Sequence, residues 1–356
     1  PPAHRRKGEP KGRGGGAPPT WKGFEKEPIK ECKVSQPIGV MYATAGGRYP
    51  FMAGVAQALE EHLTQLGYRI VFRMGASGGS LISALRSSNT NFLDWTTGST
   101  TPAIRQSLKI GRSAIFQNMW NYVTKKGFLE SSDVENLFDT TLKTPELTTP
   151  TYAVSWCLSA QKPVAFRLTN ENWASRVAAS CAMPVAMTPL KIKNSELSFV
   201  IQEQLGVKNN PNGFSTFMDG GLCPGFPLKL IEEMKQIPVV VVTIDHKVPG
   251  QKSDPINIIH RLLAKEMRVK VLENLEEIKN RRPLSLWCVP CPDFINRKYA
   301  TKFDLGPEDT KSMYEHGYAL CRGKLMTQDV NLPPVESIPT PAPIAVEVMV
   351  EVSNEN

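Results

Sequence analysis

The sequence lacks any apolar run of the ~18–20 residues that a membrane-spanning helix needs. Its longest compact run, Ile237 to Ile244, has the length of a strand. It also lacks a G-x-x-x-x-G-K-[ST] loop, so its glycine-rich turns do not read as a nucleotide phosphate cradle. A single C-x-x-C occurs, Cys288 to Cys291, without the second pair that would complete four zinc ligands. No metal site and no cofactor are therefore expected. The seven cysteines form an odd set spread through the chain, several inside apolar runs such as Val154 to Leu158, and read as reduced thiols. The N-terminal residues carry no signal-like apolar stretch. The expected location is cytoplasmic, with any membrane contact peripheral. No recognisable nucleic-acid module is present, and nucleic acid is not an expected partner.

Charge is unevenly placed. Residues 1–33 carry nine Lys/Arg against four acids and contain Gly14-Gly15-Gly16, a composition that cannot bury enough apolar surface to order itself. Residues 332–356 carry four Glu, no base and five prolines. These read as a basic arm and an acidic, proline-rich tail around one body, residues 34–331. The body is basic, which suits phosphate or an anionic bilayer and equally suits an ordinary solvated surface.

Within the body, strand and helix patterns alternate. Ile38–Ala43, Arg69–Met74, Thr151–Leu158, Val164–Leu168, Val239–Ile244 and Leu284–Val289 read as strands. Met52–Leu66, a helix opening at Ser77, Trp173–Cys181, Ile256–Ile278 and Pro307–Met326 read as helices. This order predicts an α/β fold, a three-layer α/β/α sandwich with a largely parallel central sheet.

Gly75-Ala76-Ser77-Gly78-Gly79 fits G-x-S-x-G and lies between a strand and a helix, the setting that lifts a serine hydroxyl above a sheet. A small-residue connecting turn would look the same. A serine nucleophile needs a base. His246, His260 and His316 follow Ser77, but none has a recognisable catalytic setting. Asp219, in Phe217-Met218-Asp219-Gly220-Gly221, sits at a strand end before paired glycines that let two loops pass closely. A plain turn aspartate is the alternative reading.

Five segments in order resemble the patatin-like phospholipases. They are Gly46-Gly47-Arg48 with the helix from Gly54 to Glu61, then Gly75 to Gly79, then Ala178-Ala179-Ser180-Cys181-Ala182-Met183-Pro184. Asp219-Gly220-Gly221 and Tyr314 to Ala319 complete the set. The resemblance implies a metal-independent serine lipid acyl hydrolase of phospholipase A or lysophospholipase type. Ser77 would be its nucleophile, Asp219 its base, and Ala45, Gly46, Gly47 and Arg48 its oxyanion loop. It implies a phospholipid or lysophospholipid substrate, a peripheral membrane surface and, in some relatives, an activating protein. The family loop reads G-G-G-x-[RK]-G, whereas this chain has Thr44-Ala45-Gly46-Gly47-Arg48-Tyr49. Tyr49 occupies a glycine position, where a positive φ would be costly. A catalytically weak or partner-activated lipid-binding module on the same scaffold is the alternative function. Residues 192–217 read as an insertion near Asp219. Residues 92–140, with Phe92, Trp95, Trp120 and Phe138 among lysines and arginines, read either as an interfacial surface or as helices packed on the sheet.

Overall fold

The computed structural model of the chain describes residues 36–96, 127–129, 131–141, 146–183, 185–222, 237–245, 284–292, 294–295 and 305–327. The expected basic arm, the acidic tail and the helix Ile256–Ile278 lie outside these residues.

The strands are β1 (Gln36–Tyr42), β2 (Tyr68–Ala76), β3 (Gly127–Leu129), β4 (Thr151–Cys157), β5 (Lys162–Arg167), β6 (Val185–Met187), β7 (Leu190–Lys193), β8 (Phe214–Asp219), β9 (Val239–Asp245) and β10 (Leu284–Pro290). The helices are α1 (Tyr49–Gln65), α2 (Gly78–Ser87), α3 (Phe92–Trp95), α4 (Ser131–Thr141), α5 (Trp173–Cys181), α6 (Phe199–Leu205) and α7 (Pro307–Thr327). The main sheet runs β10-β9-β1-β2-β4-β8-β7, with β5 also on β4. Strands β10, β9, β1, β2 and β4 are parallel, while β5, β8 and β7 add antiparallel pairs. The fold is thus α/β with a mostly parallel sheet flanked by helices.

Alternation along β1 sets its two faces. Ile38, Val40 and Tyr42 join α1, α2, α5 and α7 in one large buried cluster. Met41 faces the other way, with Phe72, Met74, Val154, Val239 and Val241. The four consecutive valines of β9 serve both faces, as a fully buried parallel strand requires. Helices α1 and α7 cross at very short range. A Cβ on Gly54 would lie 2.0 Å from the Tyr314 carbonyl oxygen, and one on Gly317 would lie 2.1 Å from that of Phe51.

A buried ion-pair network ties four elements together. Glu60 of α1 accepts two bonds from the Arg73 guanidinium of β2, at 2.9 and 3.0 Å, and one from Arg86 of α2, at 3.0 Å. The Tyr42 hydroxyl of β1 donates to it at 2.5 Å. Burial alone would raise the Glu60 pKa, but hydrogen bonds and charge from Arg73, then Arg86, hold it below the ordinary glutamate value.

The pairing of β4 explains how the site forms. Residues Tyr152–Cys157 pair with β5 along one edge. On the other edge, Thr151–Val154 pair with β2 and Ser155–Cys157 pair with β8. A strand has only two edges, so β2 rising and β8 descending meet end to end on the same one. Their last residues are Ala76 and Asp219.

Candidate active site

Ser77 is the residue between β2 and α2, with φ 55 and ψ −129. A non-glycine residue there costs about 1–3 kcal/mol and persists only where its surroundings hold it. They do so at both backbone polar groups. The Ser77 amide donates to Ser180 Oγ at 3.0 Å, and the Ser77 carbonyl accepts from the Ser80 amide at 2.8 Å and the Ser80 hydroxyl at 2.6 Å. Ser180 in turn donates to the Val154 carbonyl at 2.5 Å, so α5 pins the serine turn to β4.

The Ser77 hydroxyl donates to Asp219 Oδ2 at 2.7 Å. The Gly221 amide donates to the other carboxylate oxygen, Oδ1, at 2.6 Å. Both residues are buried, Ser77 at 7% exposure and Asp219 at 4%. Burial pushes the Asp219 pKa up, and the bonds from Ser77 and Gly221 pull it part of the way back, leaving it at about 6. Ser155 stands directly opposite Asp219 in the β4–β8 pair, and its hydroxyl is buried with no partner among the described residues.

The glycines of both motifs make room for close backbone approach. A Cβ on Gly75 would meet the Gly79 carbonyl at 2.1 Å, and one on Gly79 would meet that of Tyr42 at 2.3 Å. A Cβ on Gly220 would meet the Val154 carbonyl at 1.9 Å, and one on Gly221 the Thr44 hydroxyl at 2.0 Å. Thr44 therefore packs the start of the glycine loop onto the Asp-Gly-Gly turn, a role with no local signature in the sequence.

Residues Gly46–Arg48 form a single 3₁₀ turn leading into α1. The Arg48 amide is used by the turn itself, donating to the Ala45 carbonyl at 3.2 Å, and the Arg48 guanidinium folds back onto the same oxygen at 3.2 Å. Gly46 and Gly47 open the turn, where amides have no acceptor within the helix. The loop lies against the serine turn, since a Cβ on Gly78 would sit 3.1 Å from the Tyr49 side chain and 3.5 Å from that of Ala45. The start of α2 directly after Ser77 adds the positive end of a helix dipole.

Tyr49 corrects one expectation. Its φ is −53, ordinary right-handed helix, and the loop's positive φ falls on Gly46, at 56. Tyr49 already belongs to α1, whose first turn contains Pro50. Proline at a helix start was the available sign that the helix begins before the last glycine position.

The histidine alternatives are not brought to Ser77 by any described contact. His316 is exposed on α7, with Nδ1 3.0 Å from the Ser312 carbonyl and its ring edge-on to Phe294. His246 and His260 lie outside the described residues. Of the aromatics in 92–140, Phe92, Trp95 and Phe138 are core residues, and Phe92 stacks on Tyr314 at 5.6 Å. Trp120 lies outside the described residues. A shallow depression between α1, α2 and α3, with room for about one water molecule and lined by Ala53, Ile82, Leu85, Arg86 and Phe92 among others, includes no residue of the serine turn. Among the described residues, no helix is long and apolar enough to cross a membrane, and no cluster of His, Cys, Asp and Glu is placed to hold a metal ion.

Among solved structures the chain is similar to VipD from Legionella pneumophila, at 12% identity and a TM-score of 0.38, covering 82% of this chain and 67% of that one. It is also similar to the ExoU–SpcU heterodimer from the type III secretion system of Pseudomonas aeruginosa, at 12% identity and a TM-score of 0.30. That match covers 82% of this chain and about half, 52%, of the other. No curated protein matches it. The patatin-like phospholipase model matches residues 45–231, from the glycine loop past the Asp-Gly-Gly turn. That span is more than half of the sequence, and the chain belongs to the patatin-like phospholipase family.

Proposed function

We propose that the protein is a lipid acyl hydrolase, of phospholipase A or lysophospholipase type, working through a Ser77–Asp219 dyad and an acyl-enzyme. The observation that carries this reading is the 2.7 Å hydrogen bond from the Ser77 hydroxyl to Asp219 in a strained strand-to-helix turn. Ionised Asp219 takes the Ser77 proton as Oγ attacks the ester carbonyl carbon. The oxyanion that forms faces the Gly46 and Gly47 amides and the start of α2. Collapse breaks the ester C–O bond, and the Asp219 proton passes to the departing alkoxide. Water then attacks the acyl-enzyme, giving its proton to Asp219. Release of the fatty acid returns that proton to Ser77.

A buried carboxylate with a pKa of about 6 is a better base than a solvated aspartate and remains ionised at neutral pH. This suits a dyad without histidine. The departures at Thr44, Ala45 and Tyr49, together with the burial of both dyad residues, favour one second reading, in which a lipid surface or an activating protein opens the site. The test is fatty-acid release from phospholipid vesicles by wild-type and Ser77→Ala protein, each with and without cell extract. Serine-dependent release by the pure protein supports the first reading. Release only with extract supports an activator. No serine-dependent release from folded protein under either condition contradicts both and leaves a binding module.

A further inference from the structure

Six large apolar side chains are exposed among the described residues, and four of them belong to the end of β4, to α6 and to β8, with Leu158 and Phe214 on the sheet face opposite the one that α6 covers. Leu158 follows β4. Phe199 and Val200 open α6, at 55% and 64% exposure, and Phe214 opens β8, at 62%. The register fixes where this part lies. Asp219 pairs with Ser155, and β8 runs back from it past Met218 and Phe217 to Phe214, which pairs with Lys193 of β7. Five residues of strand span about 16 Å. The segment from β7 through α6 to β8 therefore begins and ends beyond the end of β2, on the same end of the sheet as Ser77. Residues Ile201 and Leu205 of α6 pack back onto Leu190, Ile192 and Phe217, and the Gln204 side chain donates to the Pro163 carbonyl, so the projection is built onto the sheet.

We propose that this projection, β7–α6–β8, is the surface by which the protein docks on an anionic phospholipid bilayer. The inference rests on the lipid-hydrolase reading for its substrate. Its own support is chemical. The Lys208 ammonium sits 4.1 Å from the centre of the Phe199 ring, an apolar anchor with a cation at its rim. Lys193 stands across from Phe214, and Lys191 across from Thr216 one pair further in. Exposed aromatic and aliphatic groups with lysines beside them, Lys208 at Phe199 and Lys193 at Phe214, match the boundary between acyl chains and phosphate headgroups, where lysine stems lie along apolar surface and their charges reach water. Of the two glutamates on the projection, Glu196 lies beside the charge of Arg176, whose guanidinium also donates to the Glu196 carbonyl. Glu203 is exposed near the far end of α6 from Phe199. Docking this end brings the serine turn toward the bilayer.

The test uses the full chain and phosphatidylcholine vesicles with and without phosphatidylserine. Two variants are compared with wild type: Phe199→Ser with Val200→Ser and Phe214→Ser, and separately Lys193→Glu with Lys208→Glu. The proposal expects each to lower partition onto anionic vesicles at least about tenfold, the lysine pair through loss of attraction to the negative surface. It expects unchanged thermal midpoints and unchanged hydrolysis of a monomeric, water-soluble ester. Wild-type binding should weaken as salt rises. Unchanged partition in both variants overturns the proposal, as does an equal fall in soluble-ester hydrolysis. A concentration-dependent dimer lost in the variants while vesicle binding holds also overturns it, in favour of a contact between copies. Ser77→Ala protein should bind vesicles like wild type. If no form hydrolyses any ester, the hydrolase reading fails while the partition data still decide this one.

Discussion

Ser77 and Asp219 are 142 residues apart in sequence, with Oγ and Oδ2 2.7 Å apart in space, because the strands ending at Ala76 and Asp219 run toward each other along one edge of β4. The contact follows from sheet topology and does not depend on the reach of a mobile loop. On the proposed reading the pair is held in place before substrate arrives, which is the condition for electrostatic and geometric catalysis.

With Asp219 as the proposed base, its raised pKa is expected to set the acid limb of the rate profile. The base must be ionised to accept the Ser77 proton, so kcat/KM is expected to rise with pH through about 6 and to level above it. A profile flat down to pH 4.5 contradicts the assignment of Asp219 as the base.

The same shift predicts a cost in stability. Folded protein binds this proton more tightly than the unfolded chain, whose aspartates titrate near 3.9. The penalty is absent below that value, grows as pH rises to about 6 and is constant above. Asp219→Asn is therefore expected to stabilise the fold by about 3 kcal/mol at pH 8 and by well under about 1 kcal/mol at pH 4, while losing activity. Denaturant titrations at the two pH values check this, and a destabilised variant at pH 8 contradicts it.

Ser180 acts through Ser77. Without its hydroxyl, the buried Ser77 amide and the Val154 carbonyl each lose a partner. Ser180→Ala is expected to cost about 1–3 kcal/mol of stability and to lower kcat about tenfold with little change in KM. The acid limb near pH 6 should stay in place, because Asp219 keeps its partners. A KM effect alone contradicts the positioning role.

Glu60→Gln leaves Arg73 and Arg86 without their shared carboxylate and is expected to cost about 3–5 kcal/mol. The pKa of Glu60 is depressed in the fold, so its contribution is complete above the ordinary glutamate range and fades as pH falls through the depressed value. The difference between variant and wild type should therefore narrow in acid. A constant difference across pH contradicts the account.

Much of this arrangement is visible in the residues alone. The valine run of β9, the amphipathic face of α1 and the Gly-x-Ser-x-Gly turn between strand and helix each carry a local pattern that tertiary packing preserved. Strand direction carries no such pattern. Phe214 to Asp219 alternates buried and more open positions, yet nothing in six residues says that β8 runs antiparallel to β4. The elements within residues 192–217 escape a sequence reading because their short strands and seven-residue helix fall below the length at which periodicity is informative. The contacts of Ser180, Thr44 and Glu60 were hidden for a related reason. Their partners are distant in sequence, and a buried serine or glutamate looks locally like any surface one.

The most direct test of the central claim is fatty-acid release from mixed phospholipid vesicles by purified wild-type, Ser77→Ala and Asp219→Asn proteins at pH 8. The account predicts release by wild type and a loss of at least about 10³-fold in each variant, with both variants folded. Release that survives Asp219→Asn but not Ser77→Ala would show that another group is the base. Release that survives Ser77→Ala would place the chemistry elsewhere in the chain.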